Sequence, residues 1–156
     1  MASKIPPLWD GRGCPPRDTV LFMTTTAPLP LNPTGWSRGL GYDQGRLVHS
    51  PSRVLTIAAQ GPLDASGRLV HEDDPAAQLA LTLANLAAVL EAAEMSWADV
   101  VQLHVYTTDL PALLSVYDTL VEHLGESDAR PPATILEVSR LLVPGMTVSI
   151  DGLALH

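Results

Sequence analysis

From residue 46 onward, apolar and polar positions follow two different periods, and the switches between them mark out the elements. Residues 46–50 (RLVHS) and 53–60 (RVLTIAAQ) are short β-rich runs on either side of Pro51-Ser52, a pattern that predicts a hairpin. A loop follows at 61–70 (GPLDASGRLV), with turn chemistry between Asp64 and Gly67. The period then changes: Leu79, Leu83, Leu86 and Leu90 recur three and four apart, which predicts a helix burying one stripe. Asp74 supplies its N-cap and Pro75 its first helical position. Residues 99–110 (DVVQLHVYTTDL) return to a β pattern, and Asp109 can cap a second helix over 111–125 (PALLSVYDTLVEHLG), which Gly125 is expected to end in a left-handed turn. Two strands finish the pattern, 133–141 (ATILEVSRL) and 146–156 (MTVSIDGLALH), separated by a turn at Pro144-Gly145. The order β-β-α-β-α-β-β predicts an α+β layer with both helices packed on one sheet face.

The opposite face then needs a cover. Alternation along 99–110 sets Val101, Leu103 and Val105 on one side and Gln102, His104 and Tyr106 on the other. The second set is semi-polar yet bulky, so this face is expected to meet another subunit in a homo-oligomer. Residues 1–41 read as an arm rather than a domain, rich in Pro, Gly and Thr, with 19–25 (TVLFMTT) as its only strand-like run. Proline leaves few backbone donors for regular structure, whereas Trp9, Phe22 and Trp36 are costly to leave in water. The arm is therefore expected to lie against the body or a neighbouring subunit.

Composition narrows the function classes. With 156 residues the chain can bury a real core in one domain. Its 17 acidic and 9 basic residues give a formal charge of -8, and no Lys/Arg cluster interleaves with aromatics, which argues against a nucleic-acid partner. The single cysteine, Cys14, excludes an intrachain disulfide, no C-x-x-C spacing suggests zinc, and no cofactor motif is present. Cys14 has no setting that would activate it, and Glu72, Asp73 and Asp74 read as helix-dipole partners rather than a metal cluster. The start, MASKIPPLWDGRG, lacks the apolar core of a signal peptide, and Asn85 and Glu91 interrupt the longest apolar stretch, so no membrane span is expected. The expected compartment is the cytoplasm.

Four local signatures occur in a fixed order: YDQG (42–45), VLTIAAQGPLD (54–64), the helix-strand stretch 76–110, and PPATILEVSRL (131–141). Together they resemble the RidA/YjgF family, over residues 42–156 and not over the arm. The resemblance implies a RidA-like, chorismate-mutase-like fold, a homotrimer, and clefts between subunits that bind a small molecule. Members of that family hydrolyse reactive 2-enamino and 2-imino acids to 2-oxo acids, and an arginine in a Pro-x-Arg-[Ser/Thr] segment clamps the substrate carboxylate. Aligning LEV (136–138) with the family's equivalent places Ala133 where that arginine would stand and Thr134 just after it. Ile135 shares the side of Ala133 by strand alternation, so this wall reads as apolar. A bidentate Arg–carboxylate contact contributes about 1.5–3 kcal/mol net of water. Losing it costs a 2-imino acid roughly tenfold to a few hundredfold in binding or rate. Arg130 is a possible substitute, but it precedes two prolines and reads as lying outside the cleft.

The resemblance carries further roles. Asp151 matches a glutamate on the last strand that orients or activates water; the alternative is a solvated strand aspartate. Tyr42 matches a cleft tyrosine able to hydrogen-bond a developing oxyanion, against a half-buried loop tyrosine. Thr134 is a hydrogen-bond partner for a polar substituent, and Ala58 and Ala59 fall where backbone groups hold the substrate. Tyr117 resembles a residue of the neighbouring subunit's pocket, or packs on the core. His104 is either an interface histidine or a base; His49, His71 and His123 read as loop or helix-surface residues. Two functional classes follow: an enzyme acting on an enamine, imine or carbonyl compound by hydrolysis or a tailoring step, and a binding or sensing protein without turnover.

Overall fold

The computed structural model describes residues 27–156. The run at 19–25 and Trp9, Cys14 and Phe22 lie outside the described residues. Four strands form the main sheet in the order β3 (Val54–Gln60), β6 (Val148–Leu155), β4 (Val100–Thr107), β5 (Ala133–Glu137). β6 is antiparallel to both β3 and β4, and β5 runs parallel to β4. Two crossovers therefore advance across the sheet in one direction: β3 to β4 through α1 (Pro75–Ala92), and β4 to β5 through α2 (Leu110–Ser115) and α3 (Tyr117–Glu126). Right-handed crossovers that advance the same way lie on the same face, which is why one side is covered and the other open.

The covered side holds the core. Leu79, Leu83, Leu86 and Leu90 of α1 are fully buried against Leu103, Val105, Ile150 and Ala154 of the sheet and Leu113, Leu120 and Leu124 of the second crossover. Each such leucine contributes about 2 kcal/mol of burial. By length and composition α1 could cross a membrane, but its stripe packs on the sheet as a core helix does. Asp74 caps it as expected, accepting from Ala77 N at 3.0 Å, with Pro75 in the first turn.

Several expectations need correction. The two runs on either side of Pro51-Ser52 do not pair. β2 (Gly45–Leu47) pairs instead with β1 (Leu29–Leu31), next to which Asn32 holds Asp43 and Gln44, and Arg46 ties β2 to the start of β4 through the carbonyls of Ala98 and Val100. The backbone at Ser52 and Arg53 meanwhile donates to His156 O, steering the chain into β3 beside β6. The second helix is broken at Val116 and runs past Gly125; the left-handed residue is Asp128, with φ 49°. An aspartate tolerates that conformation better than most side chains. Val101 also leaves the core side. Val100 pairs with Ala154 and Gln102 with Leu153, so Val101 is the extra residue of a bulge. Gly152 sits against this bulge, where a Cβ would stand 2.9 Å from Gln102 O, a distance that only glycine permits.

Candidate functional site

An open groove of about 660 Å³ lies where β2 approaches β4 and β5, and Trp36, Tyr42, Arg46, Gln102, Ala133 and Thr134 are among its walls. Gly41 delivers Tyr42 to it: its φ is 79°, and a Cβ there would meet the Val121 side chain at 3.0 Å. The Tyr42 ring stands edge-on to Trp36, centroids 6.0 Å apart. Beside it Asp43 is pinned on three sides. Its backbone N donates to Arg130 O at 2.9 Å, and its carboxylate accepts from Asn32 at 2.8 Å and from Arg46 Nε at 3.2 Å. The side chains of Arg46 and Asp43 are only 7% and 4% exposed, so this is a buried pair whose charges cancel within the groove wall.

The open face of the sheet carries a second arrangement. In register, His104 of β4 stands between Asp151 of β6 and Thr134 of β5, and a bulge in β3 sets Ala58 and Ala59 opposite Asp151. One row thus crosses all four strands: Ala58 and Ala59, Asp151, His104, Thr134. At the usual strand spacing it spans about 14 Å. Asp151 Oδ1 lies 2.7 Å from His104 Nδ1, and Oδ2 accepts from the Tyr106 hydroxyl at 2.9 Å. An ionised carboxylate only accepts, so the proton sits on His104 Nδ1. The lone pair on Nε2 then receives the Gln102 amide, whose nitrogen is 2.9 Å away. His104 and Asp151 are 33% and 28% exposed, shielded enough to hold their geometry and open enough to be reached. The Tyr106 phenol is held above its ordinary value, first by the hydrogen bond it gives Asp151, then by desolvation and the carboxylate's charge.

Tyr42, Ala133 and Thr134 share the groove. Asp151 does not line it and is joined to its wall through His104 and Gln102. Ala58 and Ala59 are exposed at the far edge of the sheet, where Ala59 borders a separate hollow of about 440 Å³. Ile135 turns to the helices and packs on the core, as does Ala133, whose other flank reaches the groove. Tyr117 donates its hydroxyl to Leu40 O at 2.9 Å and so braces the loop before Tyr42; burial, then the nearby Tyr42, raises its pKa. Sequence reasoning did not assign roles to Gln102, Tyr106 and Arg46. For the first two a signal existed, since they share the alternation side of His104, but pairing with Asp151 requires the β4–β6 register. Among the described residues no three His, Cys, Asp or Glu side chains gather as metal ligands.

The sequence profile of a family described as Endoribonuclease L-PSP matches residues 41–156. The chain belongs to this family, the RidA/YjgF group. A RutC family protein of Pyrococcus horikoshii is 31% identical over 121 residues, covering 78% of this chain and 86% of that protein. Among solved structures, a Rid family protein of unknown function from Yersinia pestis, YyfB, superposes with a TM-score of 0.76 at 29% identity, covering 83% of this chain and 99% of that one. The YjgF gene product of Escherichia coli gives a TM-score of 0.60 at 26% identity over 84% and 94% of the two chains. The α+β fold with its mixed sheet is that of these RidA/YjgF structures.

Proposed function

We propose that this RidA/YjgF protein is a cytoplasmic enzyme that hydrolyses the C=N bond of a small enamine or imine, or acts on a related carbonyl compound. The reaction takes place in a cleft completed by a second copy of the chain in a homotrimer. The observation that carries this reading is the row Ala58 and Ala59, Asp151, His104, Thr134 on the open sheet face, ending beside the groove that holds Tyr42. Asp151 supplies the charge for water activation, Tyr42 polarises the substrate heteroatom, and Thr134 bonds a polar substituent. The open face and exposed apolar residues such as Val54 and Leu136 support burial against a neighbour. The substrate is not a typical 2-imino acid, because Ala133 offers no guanidinium to a carboxylate. Among the described residues that line the groove the one cationic side chain, Arg46, is already paired with Asp43. That pairing, with a net charge of -8, also argues against the RNA substrate that the family description would suggest.

The second reading, a binding or sensing protein without turnover, draws on the fact that Asp151 and His104 are already bonded to protein partners. Acetophenone imine, generated in the assay, separates the two. Catalysis predicts acetophenone and ammonia released above the spontaneous rate, with Asp151→Asn losing about a hundredfold or more while its melting curve and size are kept. Full turnover in Asp151→Asn removes that carboxylate from the mechanism. A thermal shift by the ketone with no product from the imine favours binding.

A further inference from the structure

Both oxygens of Asp151 are occupied, one by His104 Nδ1–H at 2.7 Å and one by the Tyr106 hydroxyl at 2.9 Å. A water molecule can reach either oxygen only by displacing one of these donors. The next atom along the chain is different. His104 Nε2 carries a free electron pair whose contact is the terminal amide of Gln102, an exposed side chain that lines the groove. A glutamine amide that turns about its side-chain torsions leaves that position to a water molecule from the groove.

We infer that His104 Nε2 is the general base of the site, and that Asp151 is a positioning residue that fixes the tautomer and holds the imidazolium formed in the reaction. This rests on the hydrolase reading above and names the group that moves the proton. In the addition step, the water oxygen bonds to the C=N carbon and one water proton passes to Nε2. The C=N π pair moves to nitrogen, which takes a proton from solvent, giving a carbinolamine. In the second step, Nε2–H returns its proton to that nitrogen, the C–N bond breaks with its electron pair leaving on ammonia, and the carbinolamine O–H loses its proton to solvent as C=O forms. One imine and one water thus give one carbonyl compound and one ammonia, with no oxidation or reduction.

Tyr106 completes the arrangement. By donating to Oδ2 it keeps the carboxylate aimed at Nδ1, which favours the ring orientation that offers Nε2. The titratable groups facing His104 are Asp151 from β6 and Tyr106 from its own strand, their ring centroids 6.2 Å apart in the latter case; its β5 neighbour in register, Thr134, is neutral. Protonation of His104 would therefore give kcat/KM a limb that falls toward acid, one that a base consisting of Asp151 alone would not place on the histidine.

The test is the pH profile of imine hydrolysis by the full chain, with His104→Gln, His104→Ala and Asp151→Asn. Expected are an acidic limb in the wild type, and a loss of about a hundredfold or more in kcat/KM with disappearance of that limb in His104→Gln. Added imidazole should restore part of the rate to His104→Ala, because the site is open enough to admit it. Asp151→Asn should lose rate, because Nδ1 is no longer held by a carboxylate, yet keep a limb, because Nε2 is still the base. His104→Gln with the wild-type rate and limb, beside an inactive Asp151→Asn, would overturn the base assignment and leave the hydrolase reading standing. No turnover of any imine by the wild type would overturn both. A melting curve checks that His104→Gln is folded; where it is not, imidazole decides, rescue of folded His104→Ala supporting the base assignment and no rescue overturning it.

Discussion

The two faces of this sheet each carry a polar network, and the networks differ in what completes them. On the helix side Gln78 is fully buried. Its amide nitrogen lies 3.0 Å from the carbonyls of His71, Glu72 and Gly145, while its oxygen accepts from the backbone N and hydroxyl of Thr147 at 2.8 and 2.9 Å. All but one of these partners are backbone, so the network fastens the turn before α1 to the turn before β6 and cannot move without unfolding. On the open side Gln102, His104, Asp151 and Tyr106 bond to one another through side chains alone, and His104 and Asp151 keep about a third of their surface. Side-chain partners can rotate away and water can enter. The closed network has the character of a structural lock; the open one has that of a site.

That contrast is broken most strongly from the closed side. Gln78→Ala orphans Thr147 N and three carbonyls around a fully buried position. It should lower unfolding free energy by roughly 3–5 kcal/mol, read from urea denaturation, with little change in turnover per folded molecule. On the open side the same experiment on Asp151→Asn should give a change within about 1 kcal/mol, because a pair a third exposed is screened by solvent. A loss as large as that of Gln78→Ala would make the Asp151 network a structural element instead. The smallest effect is a titration. Tyr106 has its phenol held up by Asp151, so the stability it contributes is fully present below about pH 10, the unfolded value, and is lost as pH rises through the higher folded value. Tyrosinate absorbance should show one group returning toward its ordinary value in Asp151→Asn. Tyr117, raised by burial, should stay where it is in both proteins.

How much of this the chain displays in advance depends on whether a signal is local. The stripe of Leu79, Leu83, Leu86 and Leu90, the cap at Asp74 and the alternation of Gln102, His104 and Tyr106 are written within single elements, and each appears in the structure as read. The partner of β2 was not legible, because it lies in the Pro-rich stretch before it and is held by Asn32 bonding Asp43 and Gln44, while Arg46 reaches carbonyls more than fifty residues away. Val101 was assigned to the core because period-two alternation cannot anticipate a bulge, and this one depends on Gly152 across the ladder. The direction of Ile135 was half legible: it does share a side with Ala133, but that side faces the helices. Asp151 could be named through the family resemblance of its strand, yet its two donors come from β4 at separations of 47 and 45 residues, and only the β4–β6 register joins them.

The central claim is that the groove serves a neutral C=N compound because a carboxylate–histidine pair is joined to its wall through Gln102 and position 133 carries no guanidinium. Its most direct test is ammonia release from 2-aminoacrylate and from acetophenone imine, each compared between the wild type and Ala133→Arg. The account predicts that the wild type favours the neutral imine and that Ala133→Arg gains about tenfold or more on 2-aminoacrylate alone. Wild-type hydrolysis of 2-aminoacrylate as fast as that of the arginine variant would contradict it.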